Sequence, residues 1–389
     1  MALDCVIRGC LKPDGPVQDI QVAAGKIVTI APAADPPPAP LIGDAFCIVG
    51  EAFFDLQVNG FAGVDFNRPA LDEADLLRAT QAMWAHVVAR FFPTLVTASV
   101  EAIARTLTAV RRARQNNPTL ARAIPGIHLE GPFLCPEDGP RGAHPRAHIR
   151  DPGWDIFCRF QEAAEGLIRL VTLAPERPGA LELIRRLRAA GVVVAIGHSD
   201  ATEADIDAAV QAGAQLSSHL GNGAHAVLPR HRNYIQKQLA TDDLLASIIV
   251  DGHHLTDYFV QNVVRCKGPE RVILITDAMA AAAAAPGIYR LGEVLDEARP
   301  EGVVRLPGTP YLAGSALTLD RAVDNVRHFA RISLPCALTM ATSQPRLLWP
   351  DLPGGLAQGA PANLVLVRDG PPLEVLRTIV AGEAVYSAP

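Results

Sequence analysis

The chain has 389 residues, of which 49% are apolar and 20% charged, and its formal net charge at pH 7 is −6. This is enough apolar sequence for a large core, and the absence of basic clusters excludes a nucleic-acid footprint and a polybasic membrane patch. Seven scattered cysteines without a CxxC pair, and a start without a signal-peptide pattern, predict free thiols in a cytoplasmic protein.

The two ends of the chain share a strand-and-turn composition. Residues 1–50 alternate short β-rich pieces with turns and one proline-rich loop, APAADPPPAP, and residues 355–389 return to the same pattern. We therefore predict that 1–50 and 355–389 meet in one small β domain beside a catalytic domain at 51–354.

Between these ends, short apolar runs alternate with helix-like segments. The runs cover residues 53–56, 91–96, 124–129, 167–173, 192–196, 215–220, 244–250 and 272–275. Eight strands with intervening helices predict a (β/α)₈ TIM-like barrel. A hairpin-like loop follows the eighth run, and we expect helices at 317–330 and 336–348 after it.

Three of the predicted strands end in residues that bind metals. His198 closes the run GVVVAIG and His219 closes AQLSS, and the helix-like segment 202–213 between them places both imidazoles at one edge of the sheet. Glu130 ends a third run, IPGIHL. A single histidine at a strand end is more often structural, but two histidines and a carboxylate on three strand ends predict a catalytic metal site with room for water.

The end of the eighth predicted strand carries the best candidate for a general base. Asp277 follows four apolar residues and a threonine, so it is expected at the barrel mouth near the metal. An aspartate beside metal-activated water suits proton transfer. Other polar residues after strand ends are Asp55, Asn59, Asp251 and His254.

A series of short segments runs in order along nearly the whole chain: FFDLQVNG, GIHLEGPFL, RGAHP, VTLAPE, GHSDAT, SHLGNG, DGHHL, LITDAMAAA, YRLG, LAGSALTLD and QGAPANLVLV. Taken together, they resemble the N-acetylglucosamine-6-phosphate deacetylase family of the amidohydrolase superfamily. The resemblance implies a metal-dependent barrel, a β-sandwich built from both termini, a homodimer, and hydrolysis of the N-acetyl amide of a small sugar phosphate.

The resemblance also implies the core of the site. It places the metal ligands on Glu130, His198 and His219 and the catalytic aspartate on Asp277. Gln57 and Asn59 stand where many amidohydrolases have His-x-His, which implies one divalent ion: zinc first, with iron, cobalt or manganese also suited to these ligands. Asp277 would take a proton from the attacking water and return it to the leaving amine.

Substrate contacts follow from the same resemblance. It places them on Ala143, His144, Asn222, Gly223, Arg230, His254, Leu312, Ala313 and Gly314. His144 would stabilise the tetrahedral oxyanion. Arg230 would reach into the neighbouring subunit's site and hold the phosphate, the alternative being a solvated loop charge.

The chain departs from the family pattern after His219. It continues as LGNGAHAVLPRHR, whereas the family has an aromatic residue before the Asn and an Ala-Met pair after it. His225 and His231 are extra, and we expect both to be loop residues. We expect His128 to be structural and to lie on the opposite face of its strand from Glu130.

Two other functions remain open at this stage. The first is an amidohydrolase acting on a different N-acyl sugar or on a non-phosphorylated amide. The second is a catalytically silent barrel retained as a binding protein, against which the intact ligands and Asp277 argue.

Overall fold

The computed structural model describes residues 2–309 and 311–389, and its centre is an eight-stranded parallel sheet closed into a barrel. In chain order the barrel strands are Phe53–Val58, Val88–Val96, Ile127–Glu130, Ile168–Leu173, Val193–Ile196, Leu216–Ser217, Leu245–Ile249 and Val272–Ile275. The Asp277 backbone N–H donates to the Gln57 carbonyl at 3.0 Å, which joins the eighth strand to the first. The predicted (β/α)₈ barrel is confirmed.

Helices pack their apolar faces on the outside of this barrel and share its core. They are Glu73–Trp84, Val100–Asn116, Pro118–Ala123, Trp154–Ala163, Ala180–Ala189, Glu203–Ala212, Tyr234–Ala240, Asp257–Lys267, Leu319–Ala330, Leu334–Ala341 and Ser343–Leu347, with 3₁₀ turns at Arg146–His148 and Pro269–Arg271. Thr202 and Asp205 form a capping box at the start of Glu203–Ala212, and Gly213 ends that helix with φ of 117°. These are the start and stop signals in the sequence.

The helix expected at 336–348 is interrupted. The structure has two helices, Leu334–Ala341 and Ser343–Leu347, separated at Thr342, which has non-helical dihedrals of −126° and −78°. Pro345 has no N–H to donate to the carbonyl four residues earlier and would clash with it in one continuous helix. The interruption relieves that conflict.

Both chain ends contribute to one seven-stranded sheet, which forms the small β domain. Its strands, in spatial order, are Glu383–Ser387, Glu374–Val380, Leu364–Arg368, Leu41–Glu51, Cys5–Cys10, Val17–Ala23 and Lys26–Pro32. Neighbouring strands are antiparallel except for Cys5–Cys10 with Leu41–Glu51. Alternate residues of these strands enclose a second apolar core, separate from that of the barrel.

A small antiparallel sheet lies over one side of the barrel mouth. Its strands are Gly287–Leu291, Val294–Ala298 and Val304–Arg305, and the turn between the first two lines the mouth. Its inner face packs on Met279 and its alanine neighbours. Asp296 lies fully buried on the strand Val294–Ala298. Neither of its carboxylate oxygens has a hydrogen-bond partner among residues 2–309 and 311–389. Burial, aided by the charge of Asp65, raises the pKa of Asp296 to about 7.

We expect Asp296→Asn to reduce the pH dependence of stability. A carboxyl whose folded pKa lies above its unfolded value stabilises the fold at low pH and loses that contribution as pH rises towards 7. A shift from about 4 to about 7 removes about 2–3 kcal/mol of unfolding free energy between pH 5 and pH 8. Urea unfolding at both pH values should show a loss between pH 5 and pH 8 that is smaller by about this amount in Asp296→Asn than in the parent.

Glu297→Gln removes the neighbouring, half-buried carboxylate of the same strand; it is the matched control and should follow the parent. If Asp296→Asn loses as much stability as the parent between pH 5 and pH 8, ionisation of Asp296 does not cause the loss.

No helix in the described part of the chain is long and apolar enough to cross a membrane. All seven cysteines are unpaired, and three of them, Cys5, Cys47 and Cys135, are buried.

Candidate active site and metal centre

The ends of the third, fifth and sixth barrel strands bring Glu130, His198 and His219 together. Nε2 of His219 lies 2.9 Å from Oε1 of Glu130, and Nε2 of His198 lies 3.4 Å from the same oxygen. The two imidazole centroids are 4.7 Å apart. All three residues are buried, so the cluster is held by packing as well as by these contacts.

The backbone turns sharply where the site residues leave their strands. His198, His219 and Asp277 have φ values of 50°, 31° and 50°, in the left-handed region that non-glycine residues rarely adopt. Each such residue costs roughly 1–3 kcal/mol, and such strain concentrates at active sites. All three lie two residues after the end of a barrel strand, so the turn directs their side chains into the barrel mouth.

The donor set suits a divalent ion. Glu130, His144 and His198 offer ligand atoms that all lie within 4.8 Å of one another. Burial raises the pKa of Glu130, but the adjacent imidazoles of His198 and His219 outweigh it and hold that pKa well below its usual range. A buried ionised carboxylate beside two imidazoles is the chemistry of a catalytic metal site.

The tautomer of His198 is set by its second ring nitrogen. Nδ1 lies 2.8 Å from the Pro140 carbonyl oxygen, which can only accept, so the proton is on Nδ1. The lone pair of Nε2 therefore faces Glu130. A carbonyl that orients a histidine in this way is typical of metal ligands.

His144 lies on the other side of His198, with the two Nε2 atoms 3.3 Å apart. The Thr97 backbone N–H donates to Nδ1 of His144 at 3.4 Å, which places the His144 proton on Nε2 and directs it into the cavity. Burial and the neighbouring His198 lower the pKa of His144 to about 3. His144 is therefore a neutral hydrogen-bond donor directed towards the cluster.

Asp277 is held at the mouth by two side-chain amides. Nδ2 of Asn59 donates to its Oδ1 at 2.7 Å, and Nε2 of Gln57 donates to the same oxygen at 3.0 Å and to Oε1 of Glu130 at 2.8 Å. Burial and the charge of Glu130 raise the pKa of Asp277 to about 6. This value lets the carboxyl group exchange a proton near neutral pH.

A cavity of about 400 Å³ opens above this cluster. Besides Glu130, His198, His219 and Asp277, it is lined by most of the predicted substrate contacts: Ala143, His144, Asn222, Gly223, His254, Leu312, Ala313 and Gly314. Nδ1 of His254 lies 2.6 Å from Oδ2 of Asp251, which fixes that ring. Arg230 lies apart, exposed in the segment 226–233, and is not among the described residues that line the cavity of its own chain.

Several contacts at the site have no signal in the sequence. The bridge from Gln57 to both Glu130 and Asp277 depends on closure between the first and last barrel strands. The orientation of His144 depends on Thr97, from the end of the second strand. Arg105 also lines the cavity, from the helix Val100–Asn116.

The expectation that His128 faces away from Glu130 is wrong. Residues two apart on a strand share a face, since side chains alternate with a period of two. His128 lies inside the barrel below Glu130, with Nε2 2.8 Å from the Thr172 hydroxyl. Burial lowers its pKa to about 4. It is a buried, hydrogen-bonded side chain, as expected of a structural residue.

A closed (β/α)₈ barrel with buried histidine and carboxylate ligands at the C-terminal ends of its strands, and an aspartate beside them, defines a metal-dependent hydrolase of the amidohydrolase type. No family model matches the sequence. The chain is 34% identical to a Bos taurus N-acetylglucosamine-6-phosphate deacetylase over 354 residues, covering 87% of this chain and 84% of that protein.

Two further relatives extend the comparison. An N-acetylgalactosamine-6-phosphate deacetylase of Escherichia coli O157:H7 is 32% identical, with 93% of this chain and 94% of that protein covered. The structure of a Mycobacterium smegmatis N-acetyl-D-glucosamine-6-phosphate deacetylase mutant in complex with N-acetyl-D-glucosamine-6-phosphate superposes with a TM-score of 0.89 at 31% identity over the full length of both chains. The chain belongs to the N-acetylglucosamine-6-phosphate deacetylase family of the amidohydrolase superfamily.

Proposed function

We propose that the protein is a divalent-metal-dependent hydrolase that converts N-acetylglucosamine 6-phosphate to glucosamine 6-phosphate and acetate. The observation that carries this proposal is the buried cluster of Glu130, His198 and His219 with Asp277 beside it at the barrel mouth. The names of the relatives support the substrate. The presence of ligands and base together argues against a silent barrel.

The roles of the side chains follow from their geometry. Glu130, His198 and His219 would hold the ion, which when bound supplies Lewis acidity that activates water and polarises the amide carbonyl. Asp277, oriented by Gln57 and Asn59, takes a proton from the attacking water and delivers it to the amine nitrogen as the C–N bond breaks. The Nε2–H of His144 donates to the oxyanion formed on the former carbonyl oxygen.

Zinc is our first choice for the ion. A set of two imidazoles and one carboxylate with an open position is a common catalytic zinc site, and the same donors also suit iron, cobalt or manganese. Metal analysis of the purified protein, followed by reconstitution of the stripped protein with each ion in turn, identifies the metal that supports turnover.

The relatives are named for both N-acetylglucosamine and N-acetylgalactosamine 6-phosphates, so the sugar needs a direct test. Acetate release from these two compounds and from unphosphorylated N-acetylglucosamine, measured side by side, tests the proposal. Release from N-acetylglucosamine 6-phosphate alone supports it. Release only from another N-acyl compound supports the alternative, in which the altered 220–232 segment redirects the same chemistry. Absence of any hydrolysis by the metal-loaded protein contradicts the proposed function.

We further propose that the protein is a homodimer in which Arg230 binds the substrate phosphate in the neighbouring subunit's site. The exposed position of Arg230, outside the cavity of its own chain, supports this role. A hydrogen bond to a charged group contributes about 1.5–3 kcal/mol, so Arg230→Ala should raise KM for the phosphorylated sugar by about 10- to 100-fold.

Arg232→Ala is the matched control for Arg230→Ala, since Arg232 lies two residues away and is also exposed. An unchanged KM in Arg230→Ala, or sedimentation of the active enzyme as a monomer, contradicts phosphate binding across an interface.

We propose a cytoplasmic location, which the seven unpaired cysteines support.

A further inference from the structure

His225, one of the two histidines added by the altered segment, is fixed to its surroundings. The Tyr234 hydroxyl accepts from the His225 backbone N–H at 2.8 Å and lies 3.1 Å from its Nδ1. Tyr234 is buried at the first turn of the helix Tyr234–Ala240. A hydroxyl can accept and donate at once, so one Tyr234 group engages both the backbone and the ring of His225.

Two other loops of the barrel mouth meet His225. Nδ1 of His225 lies 3.6 Å from Oδ1 of Asp200, two residues after His198. A Cβ added to Gly139, in the loop after the third strand, would lie 3.0 Å from the His225 Cα. Gly139 has a φ of 99°, so its lack of a side chain permits both the turn and this close contact. His225 thus lies between the loops that follow the third and fifth strands, within its own loop after the sixth.

The segment that ends at His225 forms one wall of the cavity. Residues 221–224 all line it, and they include the proposed substrate contacts Asn222 and Gly223. Gly223 packs directly on the imidazole of His198, because a Cβ there would lie 2.6 Å from Nδ1 of that ring. The position of this wall therefore depends on how its far end is anchored.

We propose that His225 is a positioning residue: its contacts with Tyr234 and Gly139 hold residues 221–225 in place and so set the affinity of the site for the sugar phosphate. This inference rests on the proposed function. His198 is held separately, by the hydrogen bond from its Nδ1 to the Pro140 carbonyl at 2.8 Å. Loss of the His225 contacts therefore leaves this proposed metal ligand in place. The effect then falls on KM and not on kcat.

The test compares His225→Ala with Tyr234→Phe, His225→Asn and a matched control, His231→Ala. His231 is the other extra histidine of the same segment, and it is exposed. We expect His225→Ala and Tyr234→Phe to raise KM for N-acetylglucosamine 6-phosphate about tenfold, with kcat within twofold and metal content unchanged. His225→Asn, which keeps an acceptor near Nδ1, should restore most of the affinity, and His231→Ala should match the parent.

A KM in His225→Ala equal to that of His231→Ala overturns the proposal, as does a loss of kcat and melting temperature with KM unchanged. If the parent turns over no sugar phosphate, the proposed function fails. Hydrogen–deuterium exchange then still tests whether His225 holds residues 221–225 in place. Residues 221–225 should exchange faster in His225→Ala and Tyr234→Phe than in the parent or His231→Ala. Equal exchange in all four proteins shows that His225 anchors nothing.

Discussion

Asp277→Asn is expected to lower kcat by about 10³-fold while the purified protein keeps its metal. An amide of the same shape still accepts from Asn59 and Gln57, but it has no carboxylate to take a proton from water or return one to the amine. General acid–base catalysis by one side chain contributes about 10²–10⁴-fold. Steady-state kinetics and metal analysis of the same preparation measure both quantities.

The pH profile adds a second readout for Asp277. A general base must be ionised, so kcat/KM of the parent falls as pH drops through the pKa of Asp277, which burial and Glu130 raise to about 6. A cation in the same cavity lowers that pKa, so the acid limb lies at pH 6 or below. The residual activity of Asp277→Asn should lack this limb.

Asp320→Asn controls for the loss of a partly buried carboxylate elsewhere, since Asp320 pairs with His86 at 3.1 Å outside the site. It should retain the kcat of the parent. Equal loss of metal in Asp277→Asn and in a ligand variant contradicts the division between base and ligands.

The sequence could predict the features that depend on periodicity and strand ends. Eight apolar runs separated by helix signals predicted the barrel, and residues directly after those runs, such as His198 and Asp277, had to meet at its mouth because parallel strands end at one edge. The helix between His198 and His219 was equally predictable, because its N-cap Thr202 and C-cap Gly213 are local sequence signals.

Contacts between distant segments could not be read in the same way. Gln57 reaches Asp277 only after the barrel closes over 220 residues of chain. The burial of Asp296 depends on how a short sheet packs on the mouth, and the anchoring of His225 depends on a tyrosine in the next helix. The misplaced face of His128 was different, since the two-residue period of the strand already contained the correct answer.

His198→Ala is expected to lose both the metal and turnover, unlike Asp277→Asn. His198 presents Nε2 towards Glu130 because Nδ1 is committed to Pro140. Its removal leaves one imidazole fewer to offset the buried charge of Glu130 and opens the coordination shell to water. Metal content after dialysis should fall to a small fraction of the parent value, and activity should fall with it.

A parallel change at His144 separates its two possible roles. Glu130, His144 and His198 are mutually close enough to share an ion, but the His144 proton lies on Nε2, which suits a donor to the oxyanion and not a ligand. His144→Ala should therefore keep the metal and lower kcat by about 10²–10³-fold, the usual effect of losing one oxyanion donor. His86→Ala, outside the site, should change neither.

The three histidine variants thus give a pattern that a general loss of folding cannot produce. His198→Ala loses metal and turnover together, His144→Ala loses turnover alone, and His86→Ala loses neither. Loss of metal in His144→Ala would make His144 a ligand and leave the oxyanion without its proposed donor. Retention of metal in His198→Ala would remove His198 from the coordination shell, and the ion would then have to be held by Glu130, His144 and His219.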